Sequence, residues 1–201
     1  ERYVVSLASK LLIGGSPKPT GSEVFTSSGT WTCPDYVYSV SVVCIGQGGA
    51  GASVSGIPYN GGGGGGLGWR NNISVTPGQS YTVSVGDSYF ISLGTVRGEN
   101  GGIGGVNTVG IGGSYAGDGG FVGGNGGVDS GGTSNRIPGA GGDAANYDSN
   151  GDNAGPAGSG SGSGTGVSGN NDGPYGGGGA GGVAGDSGVV QIRWGSDKDF
   201  P

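Results

Sequence analysis

Six consecutive glycines, Gly61–Gly66, sit inside the run YNGGGGGGLGWRNN (59–72), and Leu67, Trp69 and Arg70 follow at once. Glycine loses more conformational freedom on folding than any other residue. A chain with 57 glycines among 201 residues therefore leaves much of itself unfolded, or orders its backbone by something other than side-chain burial. Only 31% of the residues are hydrophobic, too little apolar surface to offset the entropy of ordering the whole length. An apolar core running the full length is excluded.

Composition also removes several chemistries. Histidine is absent, so there is no Ser-His-Asp or Cys-His nucleophile system and no His-ligated zinc. A formal net charge of −6 with eight Lys and Arg disfavours a nucleic-acid partner. The longest apolar run in the lead-in, Leu11–Ile13, is far too short for membrane insertion. Lys10 interrupts what would be the apolar stretch of a signal peptide. Methionine is absent, which points to a processed product or a segment of a longer chain.

Residues 1–22 read as an attachment segment and connector, with SPKPTGS (16–22) extended. In 23–45 the pattern predicts two strands around a turn at Pro34–Asp35, paired as a hairpin. Val40, Val42 and Cys44 share one face of the second strand, and Val43 and Ile45 make its other face apolar, as in a strand covered on both sides. That hairpin would set Cys33 and Cys44 roughly 20 Å apart at ~3.4 Å per residue, beyond disulfide reach, leaving both as small buried hydrophobes. Over 71–86, Ile73, Val75, Tyr81, Val83 and Val85 alternate with Ser and Thr around TPGQ, predicting a hairpin with a type II turn, one face buried and one wet. GVVQIRWG (188–195) reads as a closing strand. No amphipathic helical stretch exceeds a turn or two.

Residues 101–188 hold 36 glycines in 88 positions, and doublets recur in threes in GGIGGV (101–106) and GGNGGV (123–128). A polyproline-II-like strand has three residues per turn and no internal hydrogen bonds. With side chains reduced to hydrogen, such strands approach closely and bond to several neighbours. Each net bond contributes about 1 kcal/mol against about 1–2 kcal/mol of ordering entropy per residue, so a glycine lattice needs a rigid β scaffold at its ends. The expected fold is therefore mainly β plus irregular, with essentially no α-helix. A small antiparallel scaffold (23–100 and 188–195) carries a lobe of packed glycine-rich polyproline-II-like helices (101–188) within one domain, 23–201. A flexible Gly/Ser linker is the alternative.

Three local motifs are weak. GQGGAG (46–51) satisfies G-x-G-x-x-G but lacks a following helix and a downstream acid. Asp148, Asn150 and Asp152 alternate as in a calcium loop, but Asn153 stands where such a loop needs Gly, and Ser159 where it needs Glu. NIS (72–74) is a formal glycosylation acceptor inside the predicted hairpin. Trp31, Trp69 and Trp194 lie on or beside predicted strands and read as core anchors.

FTSSGTWTCPDYVYSVSVVCIGQGGAG, GGGGGGLGWRNNISVTPGQSYTVSVG and GVVQIRWGSDKDFP together resemble the glycine-rich domain of tail-fibre proteins of T4-related bacteriophages. The resemblance covers roughly 23–86 and 176–201. It departs from the family pattern at Gln191, where Arg is common, and at Asp199, where a basic residue precedes the terminal Phe-Pro. It implies a β scaffold with a polyglycine II sandwich, in a virion tail fibre whose connecting loops contact a receptor on the bacterial surface, an outer-membrane protein or a polysaccharide. Other tail-fibre subunits, and a homo-oligomer such as a trimer, are the further partners it implies. The candidate loops are 107–118, 128–140, 144–156 and 168–176. Their candidate contact residues are Tyr115, Arg136, Tyr147, Asn150, Asn171 and Tyr175; tyrosine offers a rigid apolar face and a hydroxyl. The alternative is a structural virion decoration or a self-assembling extracellular fibre subunit, in which 1–22 donates a strand to a neighbour. Nothing positions a carboxylate pair for glycoside hydrolysis, so no enzyme and no cofactor are expected.

Overall fold

A computed structural model describes residues 19–55, 57–130, 175–179 and 181–201. In chain order its strands are β1 (Gly21–Phe25), β2 (Gly29–Thr32), β3 (Ser39–Ile45), β4 (Ser53–Val54), β5 (Ile57–Pro58), β6 (Leu67–Ser74), β7 (Ser80–Ser84), β8 (Ser88–Phe90), β9 (Val96–Gly98), β10 (Tyr115–Ala116), β11 (Gly119–Phe121) and β12 (Val189–Trp194). Among the described residues there is no helix. Two five-stranded antiparallel sheets form, β1-β12-β3-β6-β11 and β10-β9-β8-β7-β2, and β4 and β5 make a separate small pair.

β3 sits at the centre of the first sheet, and its alternation works in both directions. Val40, Val42 and Cys44 face the second sheet, in a core with Trp31, Ile73, Val83, Phe90, Val96 and Ile192. Val43 and Ile45 face the other way, into a smaller core with Leu67, Trp69, Val189 and Phe200. The reading of β3 as a strand covered on both sides holds.

Two pairings differ from expectation. The strands on either side of Pro34–Asp35 are not partners: β2 pairs with β7 in one sheet, and β3 pairs with β12 and β6 in the other. The second case is the same error. The TPGQ turn forms, with Gln79 N donating to Thr76 O and Gly78 at φ +76°, a conformation that favours glycine. Yet β6 and β7 lie in different sheets, so the turn is a corner between layers and not a hairpin. The alternation is still correct, because Ile73, Val75 and Val83 are buried while Ser74, Thr76, Ser80 and Thr82 are exposed. Period-two patterning reports which face is buried, and both pairings bury the same face. Cys33 and Cys44 are free and buried. Burial holds the Cys44 thiol far above its usual range.

At one end of the sandwich the strands run out into glycine. Segment 46–51 continues β3, 59–66 leads into β6, 99–106 continues β9, 108–114 leads into β10, 122–128 continues β11, and 183–187 leads into β12. The antiparallel registers bring all these ends to the same side. Residues 46–66, placed in the scaffold by sequence, thus share in the glycine bundle. β1 pairs Gly21 with Trp194, so the chain passes into the sandwich at the opposite end.

The hexaglycine run forms the axis of this bundle. Gly61 and Gly64 donate to Gly127 and Gly124, Gly62 and Gly65 to Gly179 and Gly176, and Gly63 and Gly66 to Gly102 and Glu99. The donors visit three neighbours in rotation and return to each after three residues, the repeat of a chain with three residues per turn. Carbonyls of the same run accept from Gly110 and Gly113 on one side and from Gly49 and Gly46 on another. Side chains would prevent this approach. A Cβ at Gly62 would lie 2.0 Å from the Gly49 carbonyl oxygen, and one at Gly63 2.2 Å from that of Ile111.

Candidate functional site

Three bundle segments lie side by side as an outer layer. Gly102 N donates to Ile111 O and Gly105 N to Thr108 O, joining the first to the second. Gly123 N donates to Gly113 O and Gly126 N to Gly110 O, joining the second to the third. Exposure along each segment recurs every third residue: Asn100, Ile103 and Val106; Thr108, Ile111 and Ser114; Val122, Asn125 and Val128. Between them, Gly101, Gly104, Gly110 and Gly113 donate to the layer behind, at the carbonyls of Gln47, Ala50, Gly61 and Gly64. A triplet repeat thus sends one side chain per turn to solvent, as period two does in a strand.

The resulting face is uncharged and mixes five apolar side chains with the polar Asn100, Thr108, Ser114 and Asn125. Ile103 is 73% and Ile111 70% exposed, and Val106, Val122 and Val128 are also open to solvent. No ionisable side chain occupies these nine positions, in a chain of net charge −6. Isolated exposed apolar residues are ordinary; here five stand on adjacent, backbone-bonded segments of one layer. Two ion pairs lie at the margin next to the sheets, and Asp129 follows Val128 at the far end. Arg70 pairs with Asp118 at 3.2 Å and Arg97 with Glu99 at 3.5 Å. A hydrogen bond from the Ser114 hydroxyl, reinforced by Arg97, holds the Glu99 carboxyl below its usual range.

Of the expected contact residues, Tyr115 opens β10, where its ring covers Gly120 and is partly exposed. Tyr175 is half-buried and packs against the smaller core. Arg136, Tyr147, Asn150 and Asn171, with Asp148 and Asp152 of the weak calcium motif, lie outside the described residues. The expected loop 107–118 is for the most part a bundle segment and strand, because its glycines are bonded to neighbours on both sides. The outward face itself was missed. Its signal lay in GGIGGV and GGNGGV, where the residue between doublets is the one exposed.

The remaining motifs resolve as backbone. In GQGGAG, Gly48 N is bonded to Asp186 O, Gly49 N to Gly63 O and Gly51 N to Val183 O, so those amides are already occupied and no phosphate cradle forms. Trp31 is buried among Tyr81, Phe90 and Trp194, with ring centroids 5.8–6.1 Å apart, which bears out its reading as an anchor. Among the described residues no group of three or more His, Cys, Asp or Glu could hold a metal ion.

At the opposite end the C-terminal tail is clipped to a bulge. Val40 faces Ile73 and Val42 faces Arg70, so Asn71 and Asn72 of β6 oppose the single residue Ser41. Asn72 takes a left-handed backbone at φ +56°, which asparagine tolerates better than most residues. The bulge presents Asn71 to Phe200, donating to its carbonyl and accepting from its amide, each at 2.9 Å. Lys198 Nζ donates to Asn72 Oδ1 at 2.6 Å and to Asp199 Oδ1 at 2.9 Å, and the Ser41 hydroxyl also donates to Asp199. These bonds hold the Asp199 carboxyl below the usual carboxylate range, that from Lys198 most strongly. Asp199, a departure from the resembled pattern, thus closes the clip.

This clip makes stability depend on pH. A carboxyl whose pKa is lowered by folding contributes stability that is fully present above its unfolded value, 3.8 here, and is lost as pH falls through the folded value. Asp199→Asn is expected to melt below wild type near neutral pH. The gap should shrink as pH drops below about 4 and close in more acid solution. Thermal denaturation of both proteins across that range checks it; a pH-independent gap would assign the effect to packing.

No protein-family model matches the chain, and no curated protein matches it.

Proposed function

We propose that the chain is a host-recognition module of a phage tail fibre. In this reading a lattice of polyproline-II-like glycine segments presents a flat face to a receptor on the bacterial surface. The observation that carries it is the outer layer's array of Ile103, Val106, Ile111, Val122 and Val128 at solvent, held by backbone bonds to the layer behind. The arrangement is pre-organised, so little ordering entropy remains to be lost on binding. Its neutrality also matters. An acidic protein approaching an anionic cell surface meets like-charge repulsion, which a face without ionisable groups avoids. Flat apolar ridges suit the exposed apolar surface of an outer-membrane protein better than a hydrated polysaccharide.

The test is binding of the fluorescently labelled chain to a panel of Gram-negative cells. Ile103→Asp with Ile111→Asp places two charges on the face without touching the backbone. It is expected to weaken binding at least tenfold, about 1.4 kcal/mol, with an unchanged thermal transition. Equal binding by the variant would overturn the reading. An exposed apolar face also fits a second copy of the chain, the structural alternative. Sedimentation of the same variant separates them: loss of self-association with cell binding intact assigns the face to assembly.

A further inference from the structure

Two clefts open at the end of the sandwich away from the glycine bundle, sharing Lys198. The first, of about 200 Å³, is lined among the described residues by Pro19, Tyr36, Val37, Tyr38, Ser39, Gly195 and Lys198. The second, of about 390 Å³, includes Ser22, Gln191, Trp194, Ser196 and Asp197. Tyr36 and Tyr38 are 72% and 66% exposed, while Val37 between them is buried in the main core. Two large aromatics left in water on one cleft wall forgo the burial that the protein gives Trp31 and Phe90.

The backbone here is unusual as well. Tyr36 has φ +65°, Asn72 +56° and Asp197 +57°, three of the five non-glycine residues at positive φ among the described residues. An aromatic residue in that region is strained, and such strain clusters where a side chain has to be aimed. Lys198 contributes the polar element. Two of its three N–H groups are used by Asn72 and Asp199, leaving one donor on a residue that lines both clefts.

We propose that these two clefts on either side of Lys198 bind a saccharide, one ring against Tyr36 and Tyr38 and the next in the polar cleft. The first cleft lies below the 300 Å³ or more of drug-sized sites and takes a single ring. Sugar rings carry apolar C–H faces that stack on aromatics and hydroxyls that need close donors and acceptors. Tyr36 and Tyr38 supply the first, and Lys198, Ser39, Ser196 and Asp197 the second. This site is independent of the bundle face and would hold if that face bound nothing.

The experiment is saturation-transfer NMR on the full chain with methyl glycosides of glucose, galactose and N-acetylglucosamine, and with glucuronate. Transfer to at least one sugar at millimolar concentration is expected. Tyr36→Gly with Tyr38→Ala removes both rings and relieves the Tyr36 backbone, and should reduce transfer at least fivefold at an unchanged melting temperature. Tyr36→Phe with Tyr38→Phe keeps the stacking faces and should retain it. If the double truncation melts early, Tyr38→Ala alone carries the comparison. Absence of transfer to all four sugars, or equal transfer to the truncated variant, would overturn the proposal.

Discussion

Replacing Gly63 by alanine is expected to lower the melting temperature by roughly 6–12 °C, although it adds one methyl group and improves intrinsic propensity. The new Cβ would stand 2.2 Å from the carbonyl oxygen of Ile111 and close to Gly112 N. Both are backbone atoms of a neighbouring segment, so no side chain can turn aside. That segment is tied to the hexaglycine run by Gly110 N to Gly61 O and Gly113 N to Gly64 O, and moving it breaks these bonds. Overpacking a tight interior costs about 1–3 kcal/mol and occasionally more. A backbone neighbour on a bonded lattice puts the expectation near 3 kcal/mol, which at about 2–4 °C per kcal/mol for a chain of this size gives the stated fall. Gly94→Ala is the control. It is exposed, has nothing within 4 Å of a built Cβ and needs no left-handed backbone, so alanine there should be neutral or stabilising by about 0.4–1 kcal/mol. Equal effects at the two sites would mean that glycine at 61–66 serves only as a flexible tether.

What sequence made legible, and what it did not, follows from the range over which each signal acts. Turn chemistry is local, so Pro77 and Gly78 foretold the turn that the Gly78 φ confirms. The partner of each strand is not local. Ser80–Ser84 alternates identically whether it pairs with β6 or, as it does, with β2 and β8. Separate sheets also explain why the absence of a disulfide was expected correctly for an incorrect reason. Cys33 is bonded through its backbone to the Gly78–Gln79 corner, while Cys44 lies mid-sheet opposite Val190. In the bundle, the triplet doublets of 101–106 and 123–128 carried the period. They did not show that the residues between them line up across three segments. That alignment is set by which carbonyl each inward amide meets, and a glycine amide carries no mark of its partner. The tail clip was equally hidden, since Asn71 and Phe200 stand 129 residues apart.

Phe200→Ala is expected to destabilise the protein by about 3 kcal/mol, at the lower end of the range for truncating a buried phenylalanine. A tail that follows the last strand orders weakly unless something ties it down. Here the tie is explicit. The Phe200 backbone exchanges two hydrogen bonds with the Asn71 side chain, its ring lies under the Arg193 guanidinium at 4.7 Å, and it fills the smaller core beside Val43, Leu67 and Trp69. That core covers the face of the first sheet turned away from the second. Without the ring, Val43 and Trp69 lose their lid and the centre of the sheet becomes wet on one side. A melting temperature roughly 6–12 °C below wild type is expected. Asn71→Ala should approach the same value by a different route, because it removes the two hydrogen bonds to Phe200's amide and carbonyl while keeping the ring. The two losses should not add in the double variant, since both act by releasing one tail. Additive effects would show that the ring stays seated without the clip, and the bulge at Asn71 and Asn72 would then need another reason.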